Sequence, residues 1–146
     1  MDGTIFLDTN ILIYAANEDS VYHKQAMDVI NMVNTREIRA CVSPQILAEF
    51  YATVTNPKKI EHPLNPDEAS DAIGAYLDSD IQKLYPKAST LKLTMELAER
   101  YKIRGLDIFD TQIVAAMLEN KIKTIIKANE ADFSKFKEIE TVNPLI

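Results

Sequence analysis

The chain's 146 residues are the length of one domain, and with 47% apolar and 26% charged residues they can bury a core, which excludes a disordered chain. Its formal charge of −6, from 16 Lys and Arg against 22 Asp and Glu, excludes nucleic-acid binding by bulk positive charge and a polybasic membrane anchor, so an anionic partner has to be held locally. The scattered Gly3, Gly74 and Gly105 exclude a glycine-rich phosphate loop or a nucleophile elbow, and lone Cys41 with His23 and His62 excludes an internal disulfide and a structural zinc site.

Thr4-Ile5-Phe6-Leu7 is an apolar, β-rich run stopped by Asp8-Thr9-Asn10, which predicts a buried strand entering a helix cap. A short helix is expected over 11–16. A second over 21–34 carries Ala26, Val29, Ile30 and Val33 on one face. Residues 38–42 read as a second strand, within which Cys41 is a small buried hydrophobe rather than a nucleophile. Ser43-Pro44 then starts a helix, with proline at its first position; Ile46, Phe50, Thr53 and Val54 share one side, and Asn56-Pro57 ends it. Residues 58–66 form the expected exposed loop, and Asn65-Pro66-Asp67-Glu68 repeats the start signal. A weaker strand follows over 81–85, then a helix from Ser89 or Thr90 to about Lys102, with Gly105 in the stop position. The strongest amphipathic pattern spans 107–120. Thr124-Ile125-Ile126 is a strand, 130–136 a helical turn, and Thr141-Val142 a last strand. Strands alternating with helices predict one α/β domain over 1–146, with a mostly parallel sheet covered on both faces. No apolar run reaches membrane-spanning length, and the acidic amino terminus does not read as a secretory signal; a cytoplasmic protein is the expectation.

In such sheets ligands bind beyond the carboxyl ends of the strands. Four acids fall there or in the segments that follow. Asp8 directly follows the first strand, where capping a helix and catalysis are equally open readings. Glu49 shares a helical face with Ile46, Phe50 and Thr53, and a carboxylate turned inward needs a cation or donors. Asp107 and Asp110 are spaced i, i+3 at a helix start; helix capping suits Asp107, whereas Asp110 precedes Ile113, Val114 and Met117 on the inward face. Asp132, after the 124–126 strand, is either a site residue or a turn residue. Together the four make a hard-oxygen site for Mg²⁺ or Mn²⁺, and without a cation they repel one another. Two such ions suit in-line phosphodiester cleavage, which needs no Cys, Ser or His nucleophile.

Four segments carry a family resemblance. Phe6-Leu7-Asp8-Thr9-Asn10-Ile11-Leu12 resembles the opening of PIN domains. Ser43-Pro44-Gln45-Ile46-Leu47-Ala48-Glu49-Phe50 is similar to their second motif, and Asp107-Ile108-Phe109-Asp110-Thr111-Gln112 with the small residues after it to their third. Ile125-Ile126-Lys127-Ala128-Asn129-Glu130-Ala131-Asp132-Phe133 is similar to the last, with Lys127 where Thr is usual and Asn129 where some members have Asp. The resemblance implies a three-layer α/β/α fold with four to five mostly parallel strands and Mg²⁺- or Mn²⁺-dependent RNA cleavage. Asp8, Glu49 and Asp110 would take the acidic positions, Asp132 the last acid, and Asn10 the polar residue orienting Asp8, with Asp107 in support. Small members of this kind are mostly VapC-type toxins, often homodimers, restrained by an antitoxin protein. The alternative is a non-catalytic or free-standing PIN-like module that binds RNA or protein. Lys127 is the cation placed nearest the acids to grip RNA phosphate; Lys58-Lys59 and Arg100, Lys102 and Arg104 read as solvated faces.

Overall fold

The computed structural model describes residues 3–128 and 133–144. Strand β1 (Thr4–Leu7) is the middle of a five-stranded sheet, flanked by β2 (Arg39–Val42) and β4 (Thr124–Ile126); β3 (Gln82–Lys83) and β5 (Glu140–Val142) form the edges. All four strand pairings are parallel. Parallel strands covered on both faces need side chains that are apolar on both, and Ile5, Phe6 and Leu7 are almost wholly buried, as are Ala40, Cys41 and Val42.

Between β1 and β2 run α1 (Thr9–Ala16) and α2 (His23–Asn34), and between β2 and β3 run α3 (Pro44–Val54) and α4 (Pro66–Asp78). From the β3 edge the chain crosses back through α5 (Ala88–Tyr101) and α6 (Asp107–Glu119) to β4, on the far side of β1. Right-handed crossovers therefore put α1–α4 on one face and α5–α6 on the other. The packing agrees: α1 touches α2 and α3, α3 touches α4, and α5 packs along α6. Strand order thus reverses between β1 and β4, the topological switch at which open sheets bind ligands.

Several elements differ instructively from the sequence expectation. The first helix starts at Thr9 rather than residue 11, because extended Asp8 already stands at its N-cap position. Lys102, not Gly105, ends α5: it adopts the left-handed conformation at φ 56°, and the N–H groups of Lys102 and Ile103 both bond to the Ala98 carbonyl. The 107–120 helix is less amphipathic than its pattern implied. Residues 113–117 are all buried, because α6 lies between the sheet and α5. At the sheet edge, the 81–85 strand shortens to two residues. Of the expected 130–136 helical turn, residues 130–132 lie outside the described residues and 133–135 form turns.

The Asn65 start signal is realised as a full capping box: its side chain accepts from the Glu68 N–H at 2.8 Å, and Glu68 accepts from the Asn65 N–H at 3.0 Å. Phe50 seats α3 in the core, fully buried and edge-on to Tyr76 with centroids 5.7 Å apart. Phe50→Ala is expected to lower the unfolding free energy by about 3–5 kcal/mol in urea denaturation, whereas Tyr51→Ala, one residue along and partly exposed, changes it by less than about 1 kcal/mol.

Candidate active site

Leu7 pairs with Ile126 in the β1–β4 register, so the next residues, Asp8 and Lys127, leave the two central strands side by side. The Asp8 N–H extends the ladder to the Ile126 carbonyl at 3.0 Å, and the Lys127 N–H reaches the Val142 carbonyl of β5 at 3.0 Å. Both side chains are buried, with Lys127 Nζ donating to Asp8 Oδ2 at 2.9 Å. The ammonium also stands 4.9 Å from the Phe133 ring centroid. Asp8 therefore occupies the N-cap position without a side-chain capping bond. Its carboxylate is turned to a charge rather than to the helix.

Glu49 arrives from α3, where the 100° step between adjacent helical residues sends Phe50 into the core and leaves Glu49 exposed. Its two oxygens accept from different donors, Oε2 from Thr9 Oγ1 at 2.8 Å and Oε1 from Gln45 Nε2 at 2.9 Å. Thr9 thus ties Glu49 to the end of β1. The sequence reading passed over Thr9 and Gln45; Thr9 abuts Asp8, and Gln45 stands one helical turn before Glu49, which is the signal that could have found them.

Asp110 is half-buried in the first turn of α6 and faces the same cleft. Its neighbour one turn earlier does not. Asp107 is exposed, its carboxylate pairs with Lys135 at 3.1 Å, and its carbonyl accepts from Thr111 Oγ1. It is the first residue of the helix rather than its cap. Asp132 and Asn129 lie outside the described residues.

The cleft has a volume of about 360 Å³ and is lined by Asp8, Thr9, Asn10, Ile13, Glu49, Ala52, Thr53, Asp110 and Lys127. Three carboxylates from separate stretches of chain thus share it with Asn10. Apart from the Lys127 ammonium, its polar side chains offer oxygen and amide groups, without thiol or imidazole, a donor set that suits a hard divalent cation. Lys127 is 5% exposed and held against Asp8, a placement within the site rather than on its rim.

The family model of the PIN domain matches residues 5–139. Among curated proteins, ribonuclease VapC43 of Mycobacterium tuberculosis is 26% identical over 140 residues, covering 95% of this chain and 94% of the relative. Ribonuclease VapC24 of the same organism is 24% identical over 131 residues, 89% of each chain. Among solved structures, VapC20 of M. tuberculosis, described as a sarcin-ricin loop cleaving toxin, superposes with a TM-score of 0.70 at 20% identity, covering 96% of this chain and 99% of that one. VapBC2 from Rickettsia felis, bound to a DNA fragment from its promoter, gives 0.71 at 16% identity, covering 97% and 98%. At these identities the structural likeness concerns the fold. No helix among the described residues is long and apolar enough to cross a membrane.

A tighter cluster of potential metal ligands lies elsewhere. Asp19, in the α1–α2 loop, joins Glu61 and His62 of the α3–α4 loop with ligand atoms all within 4.8 Å, and all three are exposed. His62 Nδ1 is 2.7 Å from Asp19 Oδ2, and that carboxylate, with Glu61 adding to it, holds the imidazolium above its ordinary value of 6.5. A pKa raised by folding adds stability that is fully present below the ordinary value and disappears as pH rises through the folded one. We expect the His62 ring, followed by NMR, to titrate above 6.5 in the native protein and to return toward it in Asp19→Asn.

Proposed function

This chain belongs to the PIN-domain family, and on that premise we propose that it is a Mg²⁺- or Mn²⁺-dependent endoribonuclease and the toxin of a toxin–antitoxin pair. The observation that carries the reading is the convergence of Asp8, Glu49 and Asp110, from β1, α3 and α6, on one cleft at the switch in strand order. Asp8 and Asp110 would hold the ion, with Glu49 and Asp132 completing its surroundings directly or through water. When bound, the ion supplies an activated water and stabilises the leaving oxygen of the phosphodiester.

The chain's own groups do the rest. Thr9 and Gln45 hold both Glu49 oxygens in place, so this acid needs no search among rotamers. Asn10 adds an amide beside Asp8, and Ile13 and Ala52 contribute the apolar part of the cleft lining. The relatives' names, ribonuclease VapC43 and ribonuclease VapC24, support RNA as substrate. Structural neighbours solved as toxin–antitoxin complexes support an antitoxin partner here, and we propose a homodimer in the cytoplasm as its setting.

A second reading, a binding module that works without metal, draws on the Lys127–Asp8 pair, which neutralises Asp8 without a divalent ion. Metal dependence separates the two. RNA cleavage by the purified chain should vanish in EDTA and return with Mn²⁺ or Mg²⁺. Asp8→Asn, Glu49→Gln and Asp110→Asn should each lower the rate by about 100-fold or more, the scale expected when a group stabilising developing charge is removed. Thr9→Val should cost about 10-fold through a loosened Glu49. Undiminished cleavage in EDTA, or a fully active Asp8→Asn, would overturn the proposal. Coexpression with the product of the adjacent reading frame should yield a complex in which cleavage is suppressed; a neighbour that neither binds nor inhibits would leave a free-standing nuclease.

A further inference from the structure

We propose that Lys127 is a built-in counter-cation of this site, so that a divalent ion gains Asp8 in competition with an ammonium the protein itself supplies. The inference rests on the reading of Asp8 as a metal ligand and adds a device that regulates its occupancy.

The placement is built rather than incidental. The Leu7–Ile126 register fixes the two backbones side by side, and each is pinned by its own ladder bond. The salt bridge between Lys127 and Asp8 measures 2.9 Å, with side-chain exposures of 7% and 8%. Lysine is almost never buried so fully without a partner, because its charge must be matched where water is excluded. The Phe133 ring, 4.9 Å from Nζ, adds a face that attracts a cation and holds it where it stands.

Two consequences follow from Coulomb's law at short range and low dielectric. Against a rim that also holds Glu49 and Asp110, the ammonium relieves repulsion among the acids, so the fold does not depend on metal for its integrity. The same charge repels an arriving dication and already occupies one of the two Asp8 oxygens. Affinity is therefore lower than the carboxylates alone would provide, and occupancy responds to the free divalent concentration.

The test uses the full chain in a His62→Ala background, which removes the exposed Asp19–Glu61–His62 group as a competing metal site. Mn²⁺ alone is titrated calorimetrically, and melting is followed with and without it. Lys127→Met keeps an unbranched apolar stem against Phe133 and deletes the charge. It should melt at least ~4 °C below the parent without metal. It should bind Mn²⁺ about 10-fold more tightly, and Mn²⁺ should raise its melting temperature more than the parent's. Lys127→Arg, which keeps the charge, should bind Mn²⁺ more weakly than Lys127→Met. Unchanged or weaker Mn²⁺ binding by Lys127→Met, while Asp8→Asn abolishes it, overturns the inference and leaves the nuclease reading standing. Mn²⁺ binding unaltered in Asp8→Asn overturns both. Should Lys127→Met fail to fold, ¹⁵N-lysine NMR of the parent decides: Mg²⁺ must shift the Lys127 ammonium resonance, and an unmoved resonance at saturating Mg²⁺ overturns the proposal.

Discussion

The parallel pairing of β1 with β4 is the constraint on which the rest of the molecule depends. β1 is central and apolar on both faces, so it is covered by both helical layers, and its ladder with β4, continued by the Asp8 N–H to the Ile126 carbonyl, sets its register. Once Leu7 faces Ile126, Asp8 and Lys127 must emerge together. They do so where strand order reverses and helices from both faces diverge, which opens the cleft. The position of Asp8 is thus a consequence of sheet geometry, and α3 and α6 bring Glu49 and Asp110 to the same cleft.

Within the cleft, two of the acids are accommodated by different physics. Asp8 is buried, and its charge is matched by another charge at contact distance. Glu49 is exposed, and a hydroxyl and an amide hold its oxygens while water screens it. The difference follows burial: a buried carboxylate without a cation is costly, whereas an exposed one needs only orientation.

How much of this could be read from sequence depends on the range of the interaction involved. Asp8 was legible because it ends an apolar run; Glu49 was picked out as an acid turned inward on a proline-started helix, whereas the structure leaves it exposed at the cleft, held by Thr9 and Gln45. The capping box at Asn65 is a signal spanning four residues, and it formed as read. The pairing of Asp8 with Lys127 spans 119 positions. It depends on strand order, which hydrophobic periodicity does not specify, so Lys127 was legible as the cation nearest the acids but not as a buried partner of Asp8. The i, i+3 spacing likewise put Asp107 and Asp110 on one side of α6, but their positions along the axis decide their partners: Asp107 meets Lys135 and Asp110 meets the cleft. The end of α5 near Lys102 was legible, but the residue that stops it was not. Two backbone bonds to the Ala98 carbonyl hold Lys102 in a conformation for which glycine is the usual signal.

Cavity size does not single out this cleft. One of about 370 Å³ lies near the amino end of β2, lined by Val33, Arg36, Ile38, Arg39, Ala40 and Asp80. There the Arg36–Asp80 pair is largely exposed, so solvent screens both charges and neither is forced to seek a ligand. The rest of its lining is largely apolar, and one carboxylate cannot make a hard-cation site. At the carboxyl rim, by contrast, acids from three elements converge, one of them is buried, and a lysine has been drawn in to match it. Burial is what turns a set of acids into chemistry. It makes the identity of the cation beside Asp8 a question of free energy, and that question has different answers for an ammonium fixed on β4 and for an ion arriving from solution.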